Sequence, residues 1–148
     1  MKNKELLRTI KFTLFSISAG LIEIAAFALL NELLKLPYWV SYLSALILSV
    51  LWNFTFNRKF TFKSANNVPK AMLLVALFYL VFTPLSTWLE HYLTGLNWNE
   101  YLVTAINMIL NFTTEYLYDR FVVFKDSIDT NEIAVKEAEK EKAEEQKQ

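Results

Sequence analysis

The sequence contains no cysteine, a single histidine and only two glycines among its 148 residues. The absence of cysteine excludes thiol catalysis, iron–sulfur ligation and disulfide bonds. One histidine and two glycines leave almost nothing from which to build a clustered-histidine metal site or a glycine-rich phosphate loop. We therefore expect no metal, no cofactor and no enzymatic activity in this chain.

Hydrophobic residues are abundant instead, at 54% of the sequence, and they fall into four runs of 17 to 19 residues. The runs occupy residues 12–30, 40–56, 71–89 and 101–118, and the only charges within them are Glu23 and Glu115. A helix needs roughly 20 such residues to cross the hydrocarbon core of a bilayer. The sequence predicts an all-α integral membrane protein with four spans, at about 12–34, 38–57, 70–90 and 99–119.

The positive charges predict the orientation of these spans. Of the 15 lysines and arginines, 14 lie before the first span, between the second and third, or after the fourth, and Lys35 alone lies on the other side. By the positive-inside rule, both termini and the central loop are expected in the cytoplasm, with the chain in the cytoplasmic membrane. Residues 1–126 would form the membrane domain and 127–148 a charged cytoplasmic tail, either a solvated helix or a disordered stretch.

A repeated pattern relates the two halves of the chain. Each half reads Asn-Phe-Thr, a spacer, and then Arg-x-x-x-Phe-Lys: Asn53, Phe54, Thr55, Arg58, Phe62 and Lys63 in the first half, and Asn111, Phe112, Thr113, Arg120, Phe124 and Lys125 in the second. The spacer is four residues longer in the second half, which is close to one helical turn. Two hairpins of the same orientation, related by a parallel repeat, are therefore predicted.

These motifs resemble those of the GtrA-like family of small four-helix membrane proteins. The matching residues are Ser18, Ala19, Gly20, Leu21, Asn53, Phe54, Arg58, Phe60 and Phe62, with Asn111, Arg120 and Phe124 in the second half. The resemblance implies that the protein moves a polyprenyl-phosphate-linked sugar across the membrane for modification of cell-surface polysaccharide, teichoic acid or glycans. It implies alternatively that the protein anchors or assembles a separate glycosyltransferase.

Polar residues recur every fourth position near the inner ends of the second and fourth spans, which places them on one helical face. One interpretation is packing, with small residues and amides joining helices. The other is a phosphate- and sugar-binding cleft, in which arginine forks contact phosphate and amides contact sugar hydroxyls. The predicted substrate-binding residues are Asn53, Asn57, Arg58, Asn107, Asn111 and Arg120, and the motif aromatics are Phe54, Phe60, Phe62, Phe112 and Phe124.

Two acidic residues need an explanation of their own, because a carboxylate in hydrocarbon costs about 2.5 to 3.5 kcal/mol on insertion scales. Glu23 and Glu115 are candidates for a proton site or a polar network. Glu23 also keeps a small proton-coupled multidrug antiporter open as a second alternative. The expected partners are membrane lipids, the sugar lipid, a glycosyltransferase and a second copy of the chain, through small faces at Ser16 and Gly20 or at Ser41, Ala45 and Ser49. No nucleic-acid partner is expected.

Overall fold

The structure is a computed structural model that describes residues 2–147, and it is helical throughout, with no strand within those residues. The five α-helices are α1 (Lys2–Ala28), α2 (Tyr38–Phe56), α3 (Val68–Gly95), α4 (Glu100–Tyr118) and α5 (Glu132–Glu145). Three of them continue into a five-residue π-helical turn: α1 into Leu29–Leu33, α2 into Asn57–Thr61 and α4 into Asp119–Val123. Asparagine side chains cap the first turns of α3, α4 and α5, namely Asn67, Asn99 and Asn131.

Three helical segments among the described residues are long and apolar enough to cross a membrane: Asn3–Leu33, Tyr38–Thr61 and Val68–Gly95. The first begins well before the predicted start at residue 12, because the basic residues of α1 continue its helix rather than precede it. The fourth predicted span corresponds to α4, whose polar residues dilute its apolar length. A crossing by α4 therefore stays a prediction.

The chain divides into two compact units, each built on one helical hairpin. The first contains α1 and α2 together with the segment from Ser127 onward, and the second, Asn66–Asp126, contains α3 and α4. In the first unit Ser49 Oγ donates to the carbonyl of Ala19 at 2.9 Å, and in the second Tyr118 Oη donates to the carbonyl of Leu74 at 2.8 Å. Each hairpin is thus joined by side chains that hydrogen-bond the backbone of the neighbouring helix.

Most large apolar side chains lie on the outside of both units, while small and polar residues and a few phenylalanines lie inside. Leu14, Ile24, Leu80 and Ile109 are each more than half exposed, whereas Ser41 and Ala45 are fully buried. A water-soluble protein rarely exposes contiguous apolar surface of this extent. The distribution is that of a protein whose outer surface faces lipid, and it accords with a multi-pass membrane protein.

Candidate functional site

The two sequence motifs have the same backbone structure. In each, the α-helix ends in a π-helical turn that contains the arginine, Arg58 or Arg120, and the phenylalanine after the turn is fully buried. The amide of Phe62 donates to the carbonyl of Asn57, and the amide of Phe124 donates to the carbonyl of Asp119, each at 2.9 Å. The repeated Arg-x-x-x-Phe thus encodes a repeated helix ending, and such π-turns are frequent at functional sites.

The structure shows how the two copies of this repeat align. Both α2 and α4 are 19 residues long and both end directly in a π-turn, so positions counted back from the turns align without an insertion. In this alignment Asn53 corresponds to Glu115, and Asn57 corresponds to Asp119. Asn111 corresponds to Ser49, because it lies one turn further from its arginine than Asn53 does, as the longer spacer in the sequence indicates.

In the first hairpin the polar face is a chain of neutral hydrogen bonds. Thr61 Oγ1 donates to Asn57 Oδ1 at 2.7 Å, and Asn57 Nδ2 donates to Asn53 Oδ1 at 2.8 Å. Ser16 of α1 donates to the same oxygen of Asn53 at 3.4 Å. Asn57 and Thr61 are almost fully buried, so these bonds satisfy groups that would otherwise be costly to bury.

In the second hairpin the equivalent positions are two buried acids, Glu115 and Asp119, one helical turn apart. Tyr79 of α3 donates its hydroxyl hydrogen to Glu115 Oε1 at 2.9 Å. Tyr79 was not singled out from the sequence. Its position offered a signal, since it lies in the middle of an apolar run whereas tyrosines of membrane helices concentrate near the interfaces.

The polar stripe of α4 also carries two buried acceptors that lack a donor. Among the described residues, the side-chain oxygens of Asn107 and Asn111 are buried and have no hydrogen-bond partner. The amide nitrogen of Asn107 does have partners, the carbonyl of Ser86 at 3.2 Å and Glu90 Oε2 at 3.4 Å. A buried acceptor without a partner costs about 1 to 3 kcal/mol. Such groups in a native structure call for a ligand or a function.

The two arginines occupy equivalent positions in their turns, and both are half-buried. Arg120 lies over the ring of Phe121, with its guanidinium carbon 5.5 Å from the ring centre. The predicted convergence of both arginines and both asparagines on a single cleft stays a prediction, because it concerns the two units together.

The motif aromatics serve packing. Phe62 meets Phe12 edge to face at a centroid distance of 6.3 Å, and Phe60 stacks on Phe15 at 6.0 Å. Phe54 and Phe124 are buried, and Phe112 is half-buried. Phe60 and Phe62 thus pack the end of the first motif against α1.

Glu23 stands apart from the motif residues. It lies half-buried near the middle of the first spanning segment, and within the described part of its unit it forms no hydrogen bond or ion pair. Its role as a proton site stays a prediction.

The stripe of Ser41, Ala45 and Ser49 does not form a free small-residue face. All three residues are buried, and Ser49 contacts the backbone of Ala19 in the same hairpin. Their predicted use in a dimer interface is therefore wrong, because packing within the chain already occupies them. Gly20 differs, since a methyl group added there would meet no atom within 4 Å.

The sequence profile described as "GtrA/DPMS, transmembrane domain" matches residues 11–124, well over half of the chain. The chain belongs to this GtrA/DPMS family. The match ends at Phe124, the buried residue that follows the π-turn after α4, so it includes α2, α3, α4 and most of α1, with both arginines and both buried phenylalanines of the motifs. Searches of curated proteins and of solved structures found no match to the chain.

Family membership associates the protein with membrane processes that involve polyprenyl-phosphate sugars. The helix α5 and the start of α1 lie outside the matched range.

Proposed function

We propose that this GtrA/DPMS protein translocates a polyprenyl-phosphate-linked sugar across the cytoplasmic membrane for modification of cell-surface polysaccharide, teichoic acid or glycans. The observation that carries this proposal is the pair of buried, unpartnered amide oxygens of Asn107 and Asn111 on a membrane-domain helix. Sugar hydroxyls are donors of the kind these oxygens lack. A hydroxylated headgroup would thus complete hydrogen bonds that the protein alone leaves unmade.

The proposed contacts follow from the chemistry of the headgroup. Arg58 and Arg120 offer planar, forked donors that match the oxygens of a phosphate. Asn53, Asn57, Asn107 and Asn111 lie along the stripes that lead away from these arginines by single helical turns. In this proposal the arginines bind the phosphate and the amides bind the sugar.

Further parts of the proposal concern topology and partners. We propose four spans in two hairpins of the same orientation, with both termini in the cytoplasm, and a homodimer that uses the open face at Gly20. The chain would be no enzyme, so a separate membrane glycosyltransferase would supply its substrate.

Orientation is tested with single cysteines at Ala65 and Leu96, which are exposed. Ser64 is unsuitable because it is buried and bonded to Ser127. An impermeant maleimide should label Leu96→Cys but not Ala65→Cys in intact cells.

Two alternatives remain distinct in their outcomes. An anchor or assembly subunit would change the amount or activity of a glycosyltransferase without moving lipid. A proton-coupled antiporter would require Glu23, which lies in the first spanning segment without a partner in its own hairpin. Glu23→Gln removes the titratable proton and keeps the shape of the side chain. Loss of pH-driven cation efflux in that variant, with sugar-lipid movement absent from the parent protein, would favour the antiporter.

The decisive experiment is reconstitution of the full chain into liposomes with a short-chain polyprenyl-phosphate-sugar. Protein-dependent transfer of the sugar to the opposite leaflet is expected, measured as the fraction that an impermeant reagent can modify. Liposomes with the same amount of a heat-denatured sample give the background rate. A rate equal to that background would refute translocation by this chain alone.

A further inference from the structure

The first unit contains a cavity of about 270 Å³, bounded by the start of α1, the π-turn after α2 and the helix α5. Four basic side chains line it: Lys4, Arg8, Lys11 and Lys63. None of them belongs to the proposed sugar-lipid site. Three acidic side chains, all contributed by the segment after Ser127, complete the charged lining: Asp129, Glu137 and Glu141.

The basic residues of α1 that line the cavity share one face of the helix. Lys4, Arg8 and Lys11 are spaced four and three residues apart, which places them on one face of the helix. Leu6, Ile10 and Leu14 follow a second stripe and are 60%, 46% and 61% exposed. The same turns thus carry a basic face and an outward apolar face, the arrangement of a helix that lies where headgroups meet acyl chains.

The acids of the C-terminal segment pair with the bases of the cavity. Glu137 pairs with Lys63 and Asp129 pairs with Arg8, while Glu141 lies 3.5 Å from Lys4. The hydrogen bond from Lys63, together with the positive charges of Lys63, Lys11 and Lys4, lowers the pKa of Glu137 against the opposing effect of its partial burial. The carboxylate of Glu137 therefore occupies a position at which the surrounding lysines stabilise an anion.

The segment that supplies these acids is held firmly at one end and weakly along its length. The amides of Asp129, Thr130 and Asn131 donate to the carbonyls of Phe62 and Lys63 at 2.8 to 2.9 Å. Beyond this anchor, the buried residue of α5 is Ala134, and the pair between Lys4 and Glu141 is 67% and 61% exposed. Exposed ion pairs contribute little free energy. The pair between Lys63 and Glu137 is exposed on the Glu137 side, at 52%, and less so on the Lys63 side, at 16%. Displacement of α5 about its anchored start therefore requires mainly that this one pair be broken.

We propose that this cavity is a binding site for the phosphate group of an anionic lipid at the membrane surface, and that α5 covers the site when no lipid is bound. In this proposal the carboxylate of Glu137 takes the place of the phosphate, and an entering headgroup competes with it for Lys63, Lys11 and Lys4. Lys11 is the ready donor, since among the described residues its ammonium contacts only the Phe60 carbonyl, at 3.5 Å. The site does not depend on the proposed transport function.

Lipid binding to the full chain in a neutral detergent tests the site by native mass spectrometry. The probes are short-chain phosphatidylglycerol, a polyprenyl phosphate, phosphatidylcholine and inorganic phosphate. Glu137→Gln should tighten binding of the anionic lipids about two- to fivefold, the factor expected for removal of a partly exposed ion-pair competitor. Lys11→Gln should weaken it by a similar factor. Misfolding cannot imitate the first result, because it would not raise affinity.

Matched variants serve as controls: Glu144→Gln has the same charge change on the same helix away from the cavity, and Lys70→Gln matches Lys11→Gln. Equal responses of Glu137→Gln and Glu144→Gln would overturn the proposal. The proposal would also be overturned if inorganic phosphate competed as well as the anionic lipid, because the site would then bind the free ion rather than a lipid. Binding of phosphatidylglycerol or of polyprenyl phosphate supports the site, and their relative affinity identifies which lipid supplies the phosphate.

Movement of α5 is measured separately with spin labels at Asn3→Cys and Ala143→Cys, both exposed, in nanodiscs. The distance between the labels should lengthen when phosphatidylglycerol replaces part of the phosphatidylcholine. An unchanged distance at saturating lipid would overturn the covering role of α5.

Discussion

The two hairpins share a backbone design and differ in the chemistry on their polar faces. In the first, Asn53 and Asn57 join a neutral hydrogen-bonded chain in which each described group has a partner. In the second, Glu115 and Asp119 occupy the same positions, and the turns before them leave the oxygens of Asn107 and Asn111 without donors. The polar groups of the first hairpin thus satisfy one another by hydrogen bonds, while the second hairpin keeps buried acceptors that a ligand could satisfy.

A common backbone with different side chains separates what the hairpins share from what distinguishes them. The buried phenylalanine after each turn and the arginine within it are alike in both hairpins, and the arginines would contact the phosphate in the proposed mechanism. The polar stripes before the turns differ, and the unpartnered amide oxygens of α4 are the ones proposed to contact the sugar. Substitutions at the shared and at the differing positions test this comparison.

The largest effect is expected from the buried phenylalanines. Phe62→Ala and Phe124→Ala should each lower the free energy of unfolding by about 3 to 5 kcal/mol, because each removes a fully buried ring and leaves a cavity. Equal losses are expected if the two turns are equivalent. The measurement is unfolding of the detergent-solubilised protein, with Phe121→Ala as the control since Phe121 is 60% exposed. A large loss in one hairpin and a small one in the other would break the equivalence.

Substitution of the asparagines should affect stability differently in the two hairpins. Asn53→Leu should destabilise the protein by about 1 to 3 kcal/mol, because the buried amide of Asn57 loses its acceptor. Asn111→Leu should leave the free energy of unfolding unchanged or raise it. Leucine is similar in size to asparagine, and the substitution removes a buried acceptor that has no donor. The same variant should nevertheless reduce sugar-lipid movement in liposomes.

Thr113→Leu provides the control on the same helix, because Thr113 is exposed. Full transport activity in Asn111→Leu would mean that the unpartnered oxygen has no part in binding the sugar. Stability lost equally in Asn53→Leu and Asn111→Leu would contradict the division between a complete and an incomplete hairpin.

How far the sequence predicts this structure depends on which interactions are local. The helices, the apolar runs and the repeated Arg-x-x-x-Phe follow from composition and spacing, which depend on the chain within a few turns. The π-turns could not be predicted, because they show only as a change of hydrogen-bond partner from the fourth to the fifth preceding carbonyl. The longer spacer between Asn111 and Arg120 is visible in the sequence, but the pairing of Asn53 with Glu115 and of Asn57 with Asp119 follows only from the alignment of the two turns.

Contacts between distant residues set the other limit. The approach of Ser16 to Asn53 and of Tyr79 to Glu115 joins residues more than 30 positions apart, which no periodicity encodes. The tail was expected as a solvated helix or a disordered stretch because its composition is polar. Much of the tail is an exposed helix, and its acids pair with Arg8 of α1 and with Lys63 after the π-turn of α2, a complementarity visible only after folding.

The arginines are expected to have an intermediate effect, on function alone. Arg58→Lys and Arg120→Lys should keep expression and orientation, because lysine also reaches the headgroup region. Each should weaken binding of the sugar lipid by up to about tenfold, since a lysine cannot form the forked pair of hydrogen bonds. Binding is measured by native mass spectrometry, with Lys59→Arg as the opposite exchange in the same turn. Unchanged affinity in both variants would leave the arginines as anchors of topology.

The smallest effect is expected in the C-terminal segment, whose acids Asp129 and Glu137 pair with basic residues of the first unit. Glu137 has a lowered pKa in the folded protein, chiefly through its hydrogen bond with Lys63. Because the folded pKa lies below the unfolded one, the pair stabilises the protein above the usual carboxyl pKa of about 4.3. That contribution should disappear as the pH falls through the lowered pKa. It should be below about 1 kcal/mol, since the Glu137 side chain is half exposed.

Unfolding of Glu137→Gln measured across this pH range should show a shallower acid dependence than the parent, and Glu144→Gln should follow the parent. Parallel curves for all three proteins would show that α5 is not held by this charge.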